Sequence, residues 1–253
     1  MLSLKKYYLK HRFIPVAHRG DSENAPENTL AAYQRAIDTG IPAIEVDVHI
    51  TKDYHIVAIH DDHLGRTSKT NKQISESTYS ELLNIEVGSW FDQKYTGQQI
   101  PTLDQVLDLI QNKSYLVLEM KPFSKEPENF VEKVLHTIEN HHYIDKSIIV
   151  SFDYNLLKII NYINLKVNIA AIKIPNSNLM PSDLQYLTKC DAVICSIYEL
   201  DDQFNNDAKI NKIPIGVYDV DSINLLKKAL DFRVQGVGTN YPELIMNYLK
   251  EQK

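Results

Sequence analysis

The chain has 253 residues, of which 43% are hydrophobic and 24% are charged, and this composition predicts one large globular domain with a sizeable core. The formal net charge of −6 disfavours nucleic acid as the main partner, because an acidic surface repels polyanions on average. Two cysteines are too few for a disulfide framework, and no apolar run reaches the ~20 residues of a transmembrane segment.

The N-terminal segment, residues 1–12, is basic and rich in tyrosine. No apolar stretch of about 7 to 15 residues follows it, so it does not read as a secretory signal. Weak contact with an anionic membrane surface is one interpretation of this segment. An ordered lead-in to the first strand is favoured, because the segment is short for a membrane anchor. We therefore expect a cytoplasmic protein.

Short runs rich in Val and Ile alternate with longer amphipathic stretches along the chain. Strands are predicted at Phe13–Ala17, Ala43–Ile50, Tyr115–Met120, Ser147–Phe152, Val167–Ile172, Ala192–Ile197, Pro214–Val220 and Val234–Gly238. Helices are predicted near 30–37 (with a stop at Gly40), 103–111, 127–140, 154–162, 181–188, 202–210, 222–231 and 242–250. This alternation predicts an α/β fold, a (β/α)8 TIM-type barrel. A doubly wound open sheet is the alternative, but no Gly-rich dinucleotide turn follows a strand.

One segment interrupts the alternation. After the second strand, the polar residues 51–54 and the extended run His55–His60 predict a hairpin. The stretch 61–102 then lacks a βα pattern and is interpreted as an insertion at the catalytic rim, where loops carry function. We therefore expect residues 1–253 to form a single barrel domain that contains this insertion.

Polar residues accumulate where the predicted strands end, which is the catalytic edge of this fold. Alternation along a strand places Glu45 and Asp47 on one face, and Glu119 and Lys121 on one face of the next strand. A hairpin turn near residues 52–53 would place His60 opposite residue 46. The full set at this edge is His18, Arg19, Glu45, Asp47, His60, Glu119 and Lys121.

Three carboxylates that converge on a barrel mouth repel one another unless a cation neutralises them. A set without cysteine and with oxygen ligands favours Mg²⁺ or Ca²⁺ over Zn²⁺. One such ion would polarise a phosphoryl oxygen, Arg19 and Lys121 would supply cationic donors, and two histidines could serve as acid and base. The residues therefore indicate phosphoryl chemistry.

Each residue also has a structural interpretation when it is taken singly. Glu119 and Lys121 could form a buried ion pair, and Glu45 and Asp47 could bind the barrel backbone. Taken together, the structural interpretation fails, because all of these residues lie at strand ends or on the hairpin that serves the same edge. His63 lies in the same loop as His60, and we expect it to be exposed to solvent.

These residues lie in motifs that closely resemble those of the glycerophosphodiester phosphodiesterase family. The first motifs are His18–Gly20 and Pro26–Thr29, which match His-Arg-Gly and Pro-Glu-Asn-Thr. The others are Glu45–Val48, Thr51–Asp53, Val57–Asp61, Leu64–Thr67, Ile100–Leu103, Leu118–Lys121, Ser151–Phe152 and Gly236–Pro242. The resemblance covers nearly the whole chain, including the insertion after the hairpin.

The resemblance implies His18 and His60 as the acid–base pair, and Glu45, Asp47 and Glu119 as ligands of one Ca²⁺ or Mg²⁺. Arg19 and Lys121 would contact the phosphate of a small glycerophosphodiester, and the products would be glycerol 3-phosphate and an alcohol. Attack by the neighbouring glycerol hydroxyl, through a cyclic phosphate, and direct attack by water both remain open. So do the head-group alcohol, the metal used and the oligomeric state.

Two positions depart from the family pattern. Tyr218 stands where the family usually has Trp, in a position that the resemblance assigns to the substrate pocket, and Asn240 replaces the Asp of the terminal Thr-Asp. Both put the identity of the bound glycerol or head group in question. One alternative is a lysophospholipase D-like enzyme acting on lipid-tailed diesters, and another is a catalytically silent barrel that binds a phospho-ligand.

Overall fold

The computed structural model describes residues 1–123, 125–164 and 166–252, and within these ranges the chain forms nine strands and ten α-helices. The strands are β1 (Ile14–Ala17), β2 (Ala43–Ile50), β3 (Ile56–Ala58), β4 (Tyr115–Met120), β5 (Ser147–Ser151), β6 (Asn168–Ile172), β7 (Ala192–Ser196), β8 (Ile215–Tyr218) and β9 (Gly236–Thr239). The helices are α1 (Leu4–His11), α2 (Leu30–Thr39), α3 (Tyr79–Leu82), α4 (Leu103–Ile110), α5 (Pro127–Asn140), α6 (Tyr154–Ile163), α7 (Pro181–Thr188), α8 (Asp202–Asn211), α9 (Ile223–Asp231) and α10 (Pro242–Glu251).

Eight strands form a closed parallel barrel. The order around it is β1, β9, β8, β7, β6, β5, β4 and β2, and β2 pairs with β1 to close the sheet. The (β/α)8 fold predicted from the alternation is confirmed, and the open doubly wound sheet is wrong because β1 and β2 pair directly. The carboxyl ends of all eight strands therefore meet at one edge.

The helices form because their ends are capped and one face of each is apolar. In α2 the Thr29 hydroxyl accepts from the backbone N–H of Ala32, and the helix ends at Gly40 with φ of 78°. Tyr33 and Ala36 on this helix are fully buried in the main core, which lies between the helices and the barrel wall. A left-handed φ costs glycine little, so the predicted stop at Gly40 has a direct physical cause.

The N-terminal segment forms a short helix that covers the amino-terminal end of the barrel. Leu4 of α1 is buried against Ala43 and Tyr115, at the start of β2 and β4. Ser3 caps the helix and Arg12 ends it with a left-handed φ of 60°. The lead-in to the first strand is therefore ordered, as expected, but as a helix that the sequence pattern did not reveal. No helix in the described ranges is long and apolar enough to cross a membrane.

The hairpin has the register expected from its turn. Strand β3 is antiparallel to β2 and pairs Ala58 with Val48 and Ile56 with Ile50. The Ile59 N–H donates to the Asp47 carbonyl at 3.1 Å, which continues this register toward the end of the hairpin. His60 consequently lies beside the carboxyl-terminal half of β2.

The segment after the hairpin packs around a small apolar core of its own. Between residues 61 and 102 the chain forms short 3-10 helices at Leu64–Arg66, Ile74–Glu76 and Gln93–Tyr95, together with α3. Leu64, Ile74 and Leu82 are fully buried there, and Val57 of β3 joins the same cluster. This packing against the hairpin places the segment over the carboxyl-terminal edge of the barrel.

Candidate active site at the carboxyl ends of the strands

Three buried carboxylates converge at the ends of two adjacent strands. Glu45 and Asp47 lie on β2, and the parallel register pairs Asp47 directly with Glu119 of β4. One carboxylate oxygen from each residue lies within 4.8 Å of the others. In the described part of the chain this is the one group of three acidic, histidine or cysteine side chains with metal-binding spacing. The structure thus brings together the three residues that the sequence proposed as metal ligands.

The negative charge of this cluster disturbs the protonation of its members. Burial and the neighbouring carboxylates of Asp47 and Glu119 raise the pKa of Glu45 well above its usual value. Burial and Asp47 likewise raise the pKa of Glu119 to about 7. Burial also acts to raise the pKa of Asp47, but Lys121 and Arg19 outweigh it and hold that pKa far below its usual range. The cluster is therefore short of positive charge.

Two cations lie against the carboxylates. The Lys121 ammonium is 2.7 Å from Asp47 Oδ1 and also donates to Glu119. Arg19 donates its backbone N–H to Glu45 Oε2 at 2.8 Å, and its Nε lies 3.1 Å from Asp47 Oδ2. Arg19 has a left-handed φ of 57°. The next residue, Gly20, has φ of 86°, and a Cβ there would lie 2.6 Å from the Ala32 carbonyl carbon.

Even with these cations, one carboxylate oxygen of the cluster has no partner. Glu45 Oε1 is buried without a hydrogen bond, whereas Asp47 Oδ1 faces the Lys121 ammonium at 2.7 Å. A buried unpartnered acceptor is costly, so Glu45 Oε1 beside two further carboxylates indicates a missing cation. A donor set made only of carboxylate oxygens fits a hard divalent ion such as Mg²⁺ or Ca²⁺. Glu45, Asp47 and Glu119 therefore fit a metal site.

Asn28 supports this cluster, a role that the sequence pattern did not predict. Its amide donates to Asp47 Oδ2 at 2.7 Å, and its Oδ1 accepts from the hydroxyl of Tyr33 at 2.8 Å and from the Asp47 backbone N–H. Asn28 has a left-handed φ of 55°, which asparagine tolerates better than most residues. The neighbouring Thr29 caps α2.

His18 is held by an amide rather than by a carboxylate. Its Nδ1 lies 2.8 Å from Asn240 Oδ1, and Asn240 Nδ2 donates to Asp221 Oδ2 at 2.7 Å. An ionised carboxylate only accepts hydrogen bonds, so Asp221 fixes which end of the Asn240 amide faces the histidine. His18 Nδ1 must then carry the proton, and Nε2 is left as the basic nitrogen. Asn240 thus contacts His18 directly. The sequence pattern had linked this departure from the family to the substrate pocket and did not predict the contact.

His60 is held by a carboxylate that belongs to a longer network. Its Nδ1 lies 2.7 Å from Asp61 Oδ1, and Asp61 Oδ2 accepts from Arg66 Nε at 2.7 Å. The guanidinium of Arg66 also donates twice to Glu27, at 2.7 and 2.8 Å. Glu27 in turn accepts from Arg19 at 2.9 Å. This chain of ion pairs ties the insertion to the first strand.

Both histidines are held in the neutral form more strongly than a histidine in water. Burial and the positive charge of Arg19 lower the pKa of His18. Burial, helped by Lys121, lowers the pKa of His60 although Asp47 acts in the opposite direction. Two neutral imidazoles beside a cationic and anionic cluster can exchange protons near neutral pH.

The remaining predicted positions divide between the site and the surface. Tyr218 at the end of β8 lines the same cavity as His18 and His60, and burial raises its pKa to about 12. His63 pairs with Asp62 at 2.6 Å, and 44% of its side chain is exposed to solvent, as expected. The structure therefore brings every predicted site residue to one edge and leaves His63 outside it.

The sequence matches the model of the glycerophosphoryl diester phosphodiesterase family over residues 18–244. It is 29% identical over 237 residues to a glycerophosphodiester phosphodiesterase of Caldanaerobacter subterraneus, covering 93% of this chain and 97% of that protein. A glycerophosphodiester phosphodiesterase of Bacillus subtilis is 28% identical, covering 92% of this chain and 85% of the relative.

Solved structures give the same picture. A phosphodiesterase of Oleispira antarctica, in complex with the product sn-glycerol-3-phosphate, superposes with a TM-score of 0.88 and 27% identity. That similarity covers 94% of this chain and 96% of the other. A glycerophosphodiester phosphodiesterase of Agrobacterium tumefaciens, with a TM-score of 0.82 and 22% identity, shares the fold over 93% of this chain and 99% of its own.

Proposed function

The chain belongs to the glycerophosphoryl diester phosphodiesterase family and is a phosphoric diester hydrolase, and from that premise we propose that it hydrolyses glycerophosphodiesters with one divalent cation and two histidines. The products would be glycerol 3-phosphate and the head-group alcohol. The observation that carries the proposal is the convergence of the Glu45, Asp47 and Glu119 carboxylates within 4.8 Å of one another, at a cavity that His18 and His60 also line.

Glu45, Asp47 and Glu119 would hold the cation, Mg²⁺ or Ca²⁺. When bound, the ion supplies Lewis-acid polarisation of a phosphoryl oxygen and neutralises charge that develops on it. Glu45 and Glu119 have raised pKa values, so their ionised forms are costly without a neutralising charge. A bound cation would supply that charge and displace their protons, which supports this assignment.

His18 and His60 would act as base and acid in the two proton transfers that the cleavage requires. With Nδ1 of His18 committed to Asn240, its Nε2 is the nitrogen available to take or return a proton. With Nδ1 of His60 committed to Asp61, the same holds for that ring. His18 is held by the amide of Asn240 and His60 by the carboxylate of Asp61. These different partners give the two rings different affinities for a proton, which would favour one ring as the acid and the other as the base.

Arg19 and Lys121 would bind the phosphate, and Tyr218 would form part of the wall around the glycerol or the head group. The two cations are nearly buried and already face the carboxylates, so they supply positive charge without a large rearrangement. Fixed cations aimed at developing negative charge are a strong contribution to catalysis in a site shielded from water.

The proposal is tested with glycerophosphocholine and glycerophosphoethanolamine as substrates and glycerol 3-phosphate as the measured product. Turnover should stop with a chelator and return with Mg²⁺ or Ca²⁺. Replacing His18 or His60 by alanine should lower kcat/KM by about 10² to 10⁴-fold. The matched control is His63→Ala, three residues beyond His60, which should keep normal activity. Turnover that a chelator does not affect would exclude the metal site, and no turnover with either metal would favour a silent phospho-ligand barrel.

A further inference from the structure

The inside of the barrel is more accessible than its outside. Along β1, β7 and β9, burial alternates between half-buried and fully buried residues. The half-buried ones, such as Val16, Ile194 and Gly238, line the lumen, which is the space enclosed by the eight parallel strands. The fully buried ones, such as Ala17 and Val193, face the helices and belong to the main core. The lumen is therefore hollow, whereas the layer outside the barrel is filled.

Small side chains are the cause of this hollow. Barrels of this fold normally fill their lumen with layers of branched side chains. Here six lumen-lining positions carry only alanine or glycine, and they are Ala43, Ala170, Ala192, Gly216, Gly236 and Gly238. The cavity that includes this lumen and the candidate active site has a volume of about 620 Å³. An apolar cavity of about 150 Å³ is already enough to bind benzene in another protein.

The cavity is continuous with the candidate active site. At its carboxyl end it is lined by His18, His60 and the carboxylates, and at its other end by Leu4 and Tyr8 of α1. Between these ends the wall is apolar, and it includes a cluster built around Val150, Ala170 and Ile172. A ligand that occupies the whole cavity must therefore be charged at one end and apolar along its length.

Two polar groups near the amino-terminal end of the cavity are already engaged. The Asn168 amide donates to the Ser147 carbonyl at 2.9 Å, and Asp191 accepts from the Ile169 N–H at 2.9 Å. Lys5 of α1 also lines this end, where it is exposed to solvent. Water in the apolar middle would lack the two to four polar partners that hold it. Leaving the space empty forfeits packing contacts along its whole wall.

We infer that the lumen receives a single hydrocarbon chain of the substrate. The substrate class would be a glycerophosphodiester that carries one acyl or alkyl chain, with its phosphate at the carboxylate cluster and its chain extending toward α1. The volume lies within the range of mostly apolar ligand pockets, roughly 300 to 1,000 Å³. This inference rests on the proposed function, since it takes the phosphate position from it.

The reaction balances in the same way as for a substrate without the chain. The elements of water are added across one P–O bond, the bond to the head-group alcohol breaks, and the departing alkoxide oxygen takes a proton. The second product is then a glycerol phosphate that still carries its hydrocarbon chain. The step involves no oxidation or reduction.

Binding can be measured without turnover by calorimetry on the Mg²⁺- or Ca²⁺-loaded protein, with butyl, hexyl and octyl phosphate below their micelle concentrations. We expect the Kd to fall roughly threefold to fourfold for each added methylene, from the transfer free energy of one CH₂ group. Equal affinities for the three phosphates would overturn the inference.

Turnover is compared for glycerophosphocholine and its 1-octanoyl derivative, with choline as the measured product. Filling the lumen by Ala192→Leu or Gly236→Val should lower the ratio of kcat/KM for the chain-bearing to the chain-free substrate at least tenfold. The matched control is Ala208→Leu, which enlarges a buried alanine of α8 in the core outside the barrel. It should leave that ratio unchanged, and an equal fall in this control would contradict the lumen as the cause.

The two experiments separate the inference from the proposed function. Chain-length-dependent binding without hydrolysis of either substrate would reject the proposed function and keep the hydrocarbon site. Hydrolysis of glycerophosphocholine with affinity independent of chain length would keep the function and reject the site. Because the binding measurement uses the unaltered protein, it remains decisive if a lumen-filling variant fails to fold.

Discussion

Two buried lysine–glutamate pairs lie at the carboxyl-terminal edge of the barrel, at the ends of β4 and β6, which are separated by β5. In the first pair Lys121 donates to Glu119, at the end of β4. In the second pair Lys173, which follows β6, lies 2.7 Å from Glu199. Both lysines are almost fully buried, and considered alone the two pairs look alike.

Their surroundings differ in charge. Around Lys121 the carboxylates of Asp47 and Glu45 join that of Glu119, and burial together with Asp47 raises the pKa of Glu119 to about 7. Around Lys173 a single carboxylate is balanced by one ammonium, and Glu199 also accepts from the backbone N–H of Asn176 at 2.8 Å. A surplus of carboxylates, and not the burial of an ion pair, therefore distinguishes a candidate metal site from a structural pair.

The largest expected difference in activity is between the same glutamate-to-glutamine change made in each of the two pairs. Glu119→Gln should lower kcat/KM for glycerophosphocholine by about 10³-fold or more, because a metal ligand is lost and the ion contributes several kcal/mol. Glu199→Gln should change kcat/KM less than about threefold and lower the free energy of unfolding by about 1 to 3 kcal/mol, because a hydrogen bond to a charged group is weakened. Steady-state kinetics and urea unfolding measure both. Equal losses of activity would abolish the distinction between the pairs.

The raised pKa of Glu119 should also make the stability of the protein depend on pH. In chelated protein the raised pKa of Glu119 stabilises the fold fully below about pH 4.5, and this contribution is lost as pH rises through about 7. Chelated Glu119→Gln should therefore match the unaltered protein near pH 4.5 and exceed it by about 2 to 3 kcal/mol at pH 8.

Thermal unfolding at the two pH values measures this difference. Both proteins contain the same histidines, so the opposite pH dependence of the histidines cancels when the two stabilities are subtracted. Added Mg²⁺ or Ca²⁺ should stabilise the unaltered protein more than the variant at pH 8. A variant that is less stable than the unaltered chelated protein at pH 8 would contradict the charge surplus.

A smaller effect is expected from Asp221, two hydrogen bonds away from the reacting nitrogen. Asp221→Asn lets the Asn240 amide turn over, so that His18 no longer has a fixed proton position. We expect kcat/KM to fall about tenfold, less than the full loss of a general acid or base. Nitrogen NMR shifts of the His18 ring should show a mixture of tautomers.

The neighbouring Ser222→Ala is the control for this change. Ser222 caps α9, so its loss should cost about 1 kcal/mol of stability without altering the His18 tautomer. An unchanged His18 tautomer in Asp221→Asn would show that Asp221 does not orient the ring.

The smallest effect on activity and stability is expected from Arg66, whose ion pairs connect the insertion to the barrel. Arg66→Gln removes the ion pairs with Glu27 and Asp61, which are partly exposed, so the loss of stability should be about 1 kcal/mol. Faster hydrogen exchange in residues 61–102 and a severalfold lower kcat/KM should accompany it. Lys94→Gln, which removes a well-exposed ion pair with Asp92 in the same insertion, should do neither. Identical exchange in the two variants would contradict a role of Arg66 in holding the insertion.

Much of the site could be predicted because strands alternate with a period of two. That period places Glu45 with Asp47 and Glu119 with Lys121, and the short turn of the hairpin fixes His60 beside β2. Repeated over eight strands, the same alternation of apolar runs and amphipathic stretches predicted the barrel. These features depend on residues that are close in the chain.

Other contacts could not be predicted because they join distant segments. Asn240 lies 222 residues from its partner His18, and Arg66 lies 39 residues from Glu27. Such pairs meet only when the last strand closes against the first and the insertion folds over the edge. Helix α1 was also missed, since its eight residues depend on packing against the barrel for their stability.

The sequence by itself determined the barrel, the three carboxylates and the two histidines, because local periodicity and spacing fix them. The tertiary structure alone decided how each histidine is oriented, which of the two lysine–glutamate pairs carries surplus negative charge, and that the lumen is hollow. Charge balance and cavity volume are sums over side chains from many strands, and only barrel closure brings those side chains together.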